Sequence, residues 1–247
     1  MGGDECDVSA FYFEVIMGYT VVVPTMWKFA PFTEFLKDLV KEFLVREIII
    51  VNNDPKNTPD DPILKHNKIK MYWFEQGNIG VNPAWNYGVR ISTEDKICIM
   101  NDDIIFDLKI FNKLYDHLTP EAGVYGLCPG DPIHNQPLVT NGLIDFICTP
   151  IPYNYSTHFG FGQLMFFNKA NWMPIPDGLK IYWGDNFIYD VFHHKTERNH
   201  LITNMFFYTP CATTTSTLEN PGSIVNQEGV IYNQVMPGIV NNLMAQK

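Results

Sequence analysis

Two short apolar runs separated by one amphipathic stretch constrain this chain more than any other feature. Thr20-Val21-Val22-Val23 is a continuous apolar run closed by Pro24-Thr25, and proline cannot continue a central ladder. Phe32, Phe35, Leu36, Leu39, Val40, Phe43 and Leu44 then recur at helical spacing, with Pro31 suited to the first turn. Glu47-Ile48-Ile49-Ile50-Val51 follows as a second buried strand and ends in the turn cluster Asn52-Asn53-Asp54-Pro55. Strand, helix and strand within roughly 35 residues is the size of a βαβ unit, which requires a parallel sheet. In open sheets of this kind a ligand lies beyond the carboxyl ends of the strands.

The alternation continues. Residues 69–74 are expected as a third strand, and Gln76-Gly77-Asn78-Ile79-Gly80 as a turn. Asn82 is expected to cap a helix with Pro83 at its first position; Gly88 within it marks close packing, against the sheet or a ligand. The stretch 96–107, KICIMNDDIIFD, then sets Asn101-Asp102-Asp103 between two apolar runs. Two carboxylates there are costly to bury unpaired. Two readings stand: a divalent cation site, for which Asp oxygens are suited, or a polar turn whose acids cap the next helix. Asp107 is expected to cap that helix. Pro24-Thr25, Asn52-Asn53-Asp54 and Asn101-Asp102-Asp103 thus fall at one rim of a sheet.

The second half is less regular. Strands are expected at 123–128, 143–151 and 163–167, with a loop at 129–141 and a Gly-rich turn at 159–162. Asn168 is placed to cap a short helix through Trp172. Tyr182-Trp183-Gly184-Asp185-Asn186 opens a helix through about His194, and one or two short helices follow Asn226. The whole, 1–247, reads as a single α/β domain with a regular half (about 17–120) and a mixed half (about 121–247). Residues 1–16 are either an extension ahead of Met17, itself a possible start, or carry an edge strand.

Composition narrows the function. The formal net charge is −10, so a nucleic-acid partner, which needs a basic face, is not expected. A small anion held by a metal and backbone N–H groups remains compatible. No apolar run approaches the roughly 18 residues of a membrane span, and the first residues lack the basic segment of a signal peptide. The five cysteines, Cys6, Cys98, Cys128, Cys148 and Cys211, include no CxxC pair. Core thiols in a reducing, cytoplasmic setting fit best, with no more than peripheral membrane contact.

In motif order, residues 20–195 resemble family 2 glycosyltransferases of the GT-A fold. The resemblance rests on Pro24-Thr25, Val51-Asn52-Asn53-Asp54, Asn78-Ile79-Gly80, Ala84-Trp85-Asn86-Tyr87-Gly88, the DxD-like Asn101-Asp102-Asp103, and Trp183-Gly184-Asp185-Asn186. It implies a nucleotide-sugar-binding half and an acceptor-binding half. Pro24, Thr25, Asn52, Asp54, Asn78, Asn86, Asn101 and Asp102 would line the donor site. Asp103, with Asp102 beside it, would hold Mn²⁺ or Mg²⁺. Asp185 matches the base that deprotonates the acceptor hydroxyl, with Trp183 and Gly184 near a carbohydrate or glycoconjugate acceptor. The chain departs from the family pattern at three places. Asn52 stands where an acid is usual, Gly184 replaces one acid of the late pair, and no histidine follows Tyr208 in the region of Cys211-Ala212-Thr213-Thr214-Thr215. His193, His194 and His200 read better as packed or solvated side chains than as ligands.

The chemistry is coherent without the family. A nucleoside diphosphate leaves readily only when its charge is neutralised, which a metal does as a Lewis acid, and an acceptor hydroxyl needs a base in reach. A single base favours inversion. Asp185 also reads as a helix N-cap, a role compatible with catalysis, and the helix N-terminus would favour its ionised form. Trp183 reads equally as a sugar-stacking or a core residue; Trp27, Trp73, Trp85 and Trp172 read as packing. The alternatives are a nucleotide-sugar-binding protein without turnover and a nucleotidyltransferase. The latter lacks its usual Gly-rich loop, since Pro24-Thr25-Met26-Trp27-Lys28 follows the first strand, and a flavodoxin-like module fails for the same reason. A carbohydrate-binding module would have no need of the βαβ half.

Overall fold

The computed structural model describes residues 17–127, 161–202, 205, 207–209 and 220–247. Successive side chains of its strands go to opposite faces, and both faces are covered. In β1 (Tyr19–Thr25), Val21 and Val23 enter one core and Val22 another. In β4 (Lys96–Met100), Cys98 and Met100 join the first core, Ile97 and Ile99 the second. Strand β7 (Leu164–Asn168) repeats the pattern with Leu164 and Phe166 against Met165 and Phe167. This period of two, with both sets apolar, is why these strands read as continuous hydrophobic runs.

The helices complete the layers. Phe32, Phe35, Leu36 and Leu39 of α1 (Pro31–Leu39) and Ile110, Phe111 and Leu114 of α3 (Lys109–Leu114) fill the first core. Trp85 and Val89 of α2 (Val81–Ile91), Phe187, Ile188 and Phe192 of α4 (Gly184–Thr196), and Tyr232 and Met236 of α5 (Pro221–Met244) fill the second. Each such side chain contributes about 1.5–3 kcal/mol by leaving water. The described residues form a seven-stranded sheet ordered β3-β2-β1-β4-β7-β6-β8, with β2 (Val45–Asn52), β3 (Ile69–Tyr72), β6 (Tyr125–Leu127) and β8 (His200–Ile202). The four strands β3, β2, β1 and β4 are parallel, whereas β7 runs antiparallel to β4 and β6. A small antiparallel pair, β5 (Ile105–Phe106) and β9 (Phe207–Tyr208), stands apart from it.

Several local expectations need correction. Helix α1 stops at Leu39 although the apolar spacing runs on; residues 40–44 turn instead, burying Val40 and Leu44 but leaving Phe43 58% exposed beneath the Arg46 guanidinium. Strand β3 ends at Tyr72, and Trp73, expected to pack, is 60% exposed. Helix α2 begins two residues early, after Gly80 at φ +90°, so Asn82 lies in its first turn rather than capping it. Gly88 is explained by the sheet and not by a ligand: a Cβ there would lie 2.2 Å from Val22 Cγ1. One long helix, α5, replaces the expected short ones; Pro237 falls inside it at an exposed position. Asn168 caps a single 3₁₀ turn as expected, accepting from the Ala170 N–H; Asp107 instead lies one residue ahead of the α3 cap, Leu108, and accepts from the Lys109 N–H at 3.0 Å. Cys98 is buried as expected, whereas the other four cysteines, residues 1–16 and the elements expected at 129–141 and 143–151 lie outside the described residues.

Candidate active site

Parallel pairing brings the carboxyl ends of β1, β2 and β4 to one rim. Thr25 sits opposite Asn52 in register, and the Asn53 N–H donates to the Thr25 carbonyl at 2.8 Å. The Thr25 hydroxyl accepts from the Trp27 N–H at 2.9 Å and donates to Asp102 Oδ2 at 2.5 Å; the Met26 N–H reaches the same oxygen at 3.3 Å. Asp102 is 9% exposed and Asp103 4% exposed. Burial, opposed by the Thr25 hydroxyl and aggravated by the neighbouring Asp103 charge, pushes the Asp102 carboxyl above its ordinary value.

The opposite rim shows what a buried structural acid looks like. Glu47 accepts from Thr20 Oγ1 and Lys70 Nζ at 2.6 Å each, and from the Thr93 N–H and hydroxyl at 2.9 and 3.1 Å. Burial pushes its carboxyl up, but Lys70, Thr20 and Thr93 together more than offset that and hold it low. The hydrogen bonds that Asp102 accepts do not offset its burial, whereas those to Glu47 do.

The remaining donor-side residues divide. Asn52 folds its own loop, accepting from the Asp54 N–H at 3.0 Å and donating to Thr58 Oγ1 at 2.6 Å. Asp54 accepts from Asn57 Nδ2 at 2.7 Å. Asn53, which sequence reasoning passed over as a site residue, ties the second strand end to the next turn: its Oδ1 accepts from the Ile79 N–H and its Nδ2 donates to the Gly80 carbonyl. Asn78 accepts from the Gly80 N–H at 2.8 Å and turns its Nδ2 toward Met26 Sδ, which sets it at the rim beside β1. Pro24 lies in β1 one residue before Thr25, opposite Val51. Asn86 is drawn away from this group: its Oδ1 accepts from the Ile175 N–H and its Nδ2 donates to the Ile175 carbonyl, both at 2.8 Å.

A short chain of contacts carries the rim to Asp185. The Asn101 N–H donates to the Gln163 carbonyl at 3.0 Å. The preceding residue, Gly162, has no room for a side chain because Asp185 lies against it: a Cβ at 162 would be 2.7 Å from Asp185 Cβ and 3.0 Å from Oδ2. Asp185 is not the cap of α4 but its second residue, accepting from the Asn186 N–H at 3.0 Å. Trp183 occupies the cap in the left-handed region, φ +62°. Its indole N–H donates to the Val225 carbonyl and its ring lies over Gly229 and Tyr232. Gly184 packs on the Asn82 amide, where a Cβ would be 2.0 Å from Oδ1. Any side chain at residue 184 would therefore meet the Asn82 amide. Asn82, Gly162 and Glu228 do not stand out as site residues in the sequence; the one visible signal is Glu228, the sole charged residue of α5.

Comparison with known proteins agrees with this architecture. A structure of S. aureus TarS matches at a TM-score of 0.56 with 17% identity, over 79% of this chain and 37% of that one. S. aureus TarS 1–349 in complex with UDP matches at 0.51 with 16% identity, over 78% and 60%. The chain thus spans less than two thirds of these solved structures, and shares with them the GT-A glycosyltransferase fold. No curated protein sequence matches significantly. The model of the family described as Glycosyl transferase family 2 matches residues 20–196. The chain belongs to that family. No helix among the described residues is long and apolar enough to cross a membrane.

Proposed function

We propose that the protein transfers a sugar from a nucleoside-diphosphate sugar to an acceptor hydroxyl, with inversion and with a divalent metal. One observation carries the reading: a buried acid pair at the strand rim, Asp102-Asp103, is linked through Asn101, Gln163 and Gly162 to a third carboxylate, Asp185. Thr25, Asn52, Asn53 and Asn78 frame the nucleotide side of that rim, with Pro24 and Asp54 adjoining. Uridine is the first base to test, because one solved neighbour was determined with UDP.

The donor set fits a hard cation. Adjacent buried Asp oxygens suit Mg²⁺ or Mn²⁺, which are commonly held by one or two carboxylates plus substrate phosphates. No group of three or more His, Cys, Asp and Glu gathers among the described residues, so phosphate and water would supply the remaining ligands. Asp103, with Asp102, would hold the ion, and when bound it neutralises the leaving diphosphate. The protein's own step is proton transfer. The acceptor oxygen bonds to the anomeric carbon, the bond from that carbon to the diphosphate breaks, and Asp185 takes the hydroxyl proton. One displacement inverts the anomeric centre.

The test is sugar transfer from a panel of UDP-sugars, with and without EDTA, in wild type, Asp103→Ala and Asp185→Asn. Asp103→Ala should abolish metal-dependent stabilisation by UDP. Asp185→Asn should retain it and lose about 10²–10⁴ in transfer rate. Wild-type transfer in Asp185→Asn, or donor binding indifferent to EDTA, would sink the respective assignment.

A further inference from the structure

The loop entering α4 is gripped from two sides, and one grip comes from a carboxylate outside the site. Glu228 is the only charged residue in the 24 residues of α5, yet it is turned inward and is 6% exposed. Its Oε1 accepts from the Lys180 N–H at 3.1 Å and the Ile181 N–H at 3.2 Å; its Oε2 accepts from the Ile181 N–H at 3.1 Å and the Tyr182 N–H at 2.7 Å. Three consecutive backbone N–H groups on one carboxylate form an anion nest supplied by the protein itself. From the other side, Asn82 holds the carbonyls of the same residues: its N–H donates to the Lys180 carbonyl and its Nδ2 to the Tyr182 carbonyl, both at 3.0 Å.

Trp183, Gly184 and Asp185 come directly after this doubly held segment. A non-glycine residue in the left-handed region costs on the order of 1–3 kcal/mol and persists only where its surroundings enforce it. Here α5 enforces it. Val225, Glu228, Gly229 and Tyr232 lie at helical spacing on one stripe and face the loop and α4 together. Val225 takes the indole N–H, Gly229 leaves room for the ring, and Tyr232 packs against it at a tilt and donates to Asp190 of α4. The Trp183 carbonyl then receives the Phe187 N–H, the bond that starts α4.

We propose that Glu228 is a positioning residue for Asp185: it fixes the backbone of residues 180–182 so that Trp183 turns left-handed and α4 presents Asp185 toward Gly162 and the acid rim. The inference rests on the reading of Asp185 as the base. Glu228 touches no substrate; it acts through the loop.

The experiment is a double-mutant cycle of Glu228→Gln and Asp185→Asn, read as sugar transfer from a UDP-sugar and as thermal stabilisation by UDP with Mn²⁺. Gln keeps the size but offers one acceptor oxygen where three N–H groups converge. Misplacing a reacting group by about 1 Å costs on the order of 10²-fold, so Glu228→Gln should lower turnover by about 10–100-fold, with donor KM and UDP stabilisation unchanged. In the Asp185→Asn background it should lower transfer no further, because the group it positions is gone. Equal losses in both backgrounds would make Glu228 a merely structural residue and overturn the proposal, as would wild-type turnover in Glu228→Gln. Wild-type turnover in Asp185→Asn overturns the base reading itself, and is a separate outcome. Should Glu228→Gln fail to fold, Trp183→Phe keeps an aromatic ring but gives up the bond to Val225 and the indole atoms that lie over Gly229; it should show the same dependence on Asp185, and an equal loss without Asp185 would overturn the proposal.

Discussion

Thr25 Oγ1 donates to Asp102 Oδ2 at 2.5 Å across 77 residues of chain, joining the first parallel strand to the acid rim. The same hydroxyl accepts from the Trp27 N–H, so it sets the backbone that leaves β1 as well as the orientation of the carboxylate. Thr25→Val keeps the shape and removes both functions. A hydrogen bond to a charged group is worth about 1.5–3 kcal/mol, so Thr25→Val should lose stability of that order in urea unfolding and weaken stabilisation by UDP with Mn²⁺. Thr25→Ser should restore most of both. A stable Thr25→Val that binds UDP normally would show that Asp102 needs no holding.

Asp190 gives a pH signature away from the site. Burial pushes its carboxyl above the ordinary range, against the donation of the Tyr232 hydroxyl and the nearby His194 and His193 charges. The folded state therefore holds this proton more tightly than the unfolded chain. Its contribution is full below the ordinary carboxylate value and is lost as pH rises through the raised folded value. Asp190→Asn retains an acceptor for Tyr232 and has no proton to lose. The melting temperature of the variant relative to wild type should rise with pH across that window and then level. A difference constant with pH would refute the assignment.

Asn86 separates packing from donor binding. Its amide makes two bonds of 2.8 Å with the Ile175 backbone, so Asn86→Ala leaves both backbone groups of Ile175 without that partner. A cost of about 1–3 kcal/mol is expected, with UDP stabilisation preserved in the folded protein. Loss of UDP binding without loss of stability would return Asn86 to the nucleotide pocket.

The asparagines show where a sequence is legible and where it is not. The βαβ half can be read because burial on both faces writes itself as unbroken apolar runs such as residues 48–51, and because strand ends in a parallel sheet must share a rim. Thr25 and Asp102 meet as that rule requires. Asn52, Asn53, Asn82 and Asn86 differ only in which backbone each amide answers. Asn86 answers Ile175, 89 residues away, and Asn82 answers Tyr182, 100 residues away. No local pattern encodes those partners. The apolar spacing of α1 runs past its end because Val40 and Leu44 are buried from a turn as well as they would be from a helix. Glu228 is visible in the sequence only as a lone charge, and its three N–H partners come from a segment 46 to 48 residues earlier.

Gly184 and Asn82 allow the departure from the family's late acid pair to be tested directly. A Cβ at residue 184 would lie 2.0 Å from Asn82 Oδ1 and 2.4 Å from its Cγ, contacts that no rotamer of a fully buried amide relieves without movement. Overpacking of this kind costs about 1–3 kcal/mol. Gly184→Ala should therefore melt earlier than wild type and transfer sugar more slowly, because moving Asn82 also frees the Tyr182 carbonyl that helps hold the loop before Asp185. Asn82→Ala alone should lose the bond to Tyr182, a cost of about 0.5–1.5 kcal/mol, without any clash. In the double variant the added methyl meets space where the amide stood, so Asn82→Ala/Gly184→Ala should be more stable than the sum of the two single losses predicts. Gly184→Glu, which restores the missing acid, should be tolerated only together with Asn82→Ala. If Gly184→Ala costs the same with and without Asn82, the clash lies elsewhere, and the missing acid has a cause other than the packing of α2 against the start of α4.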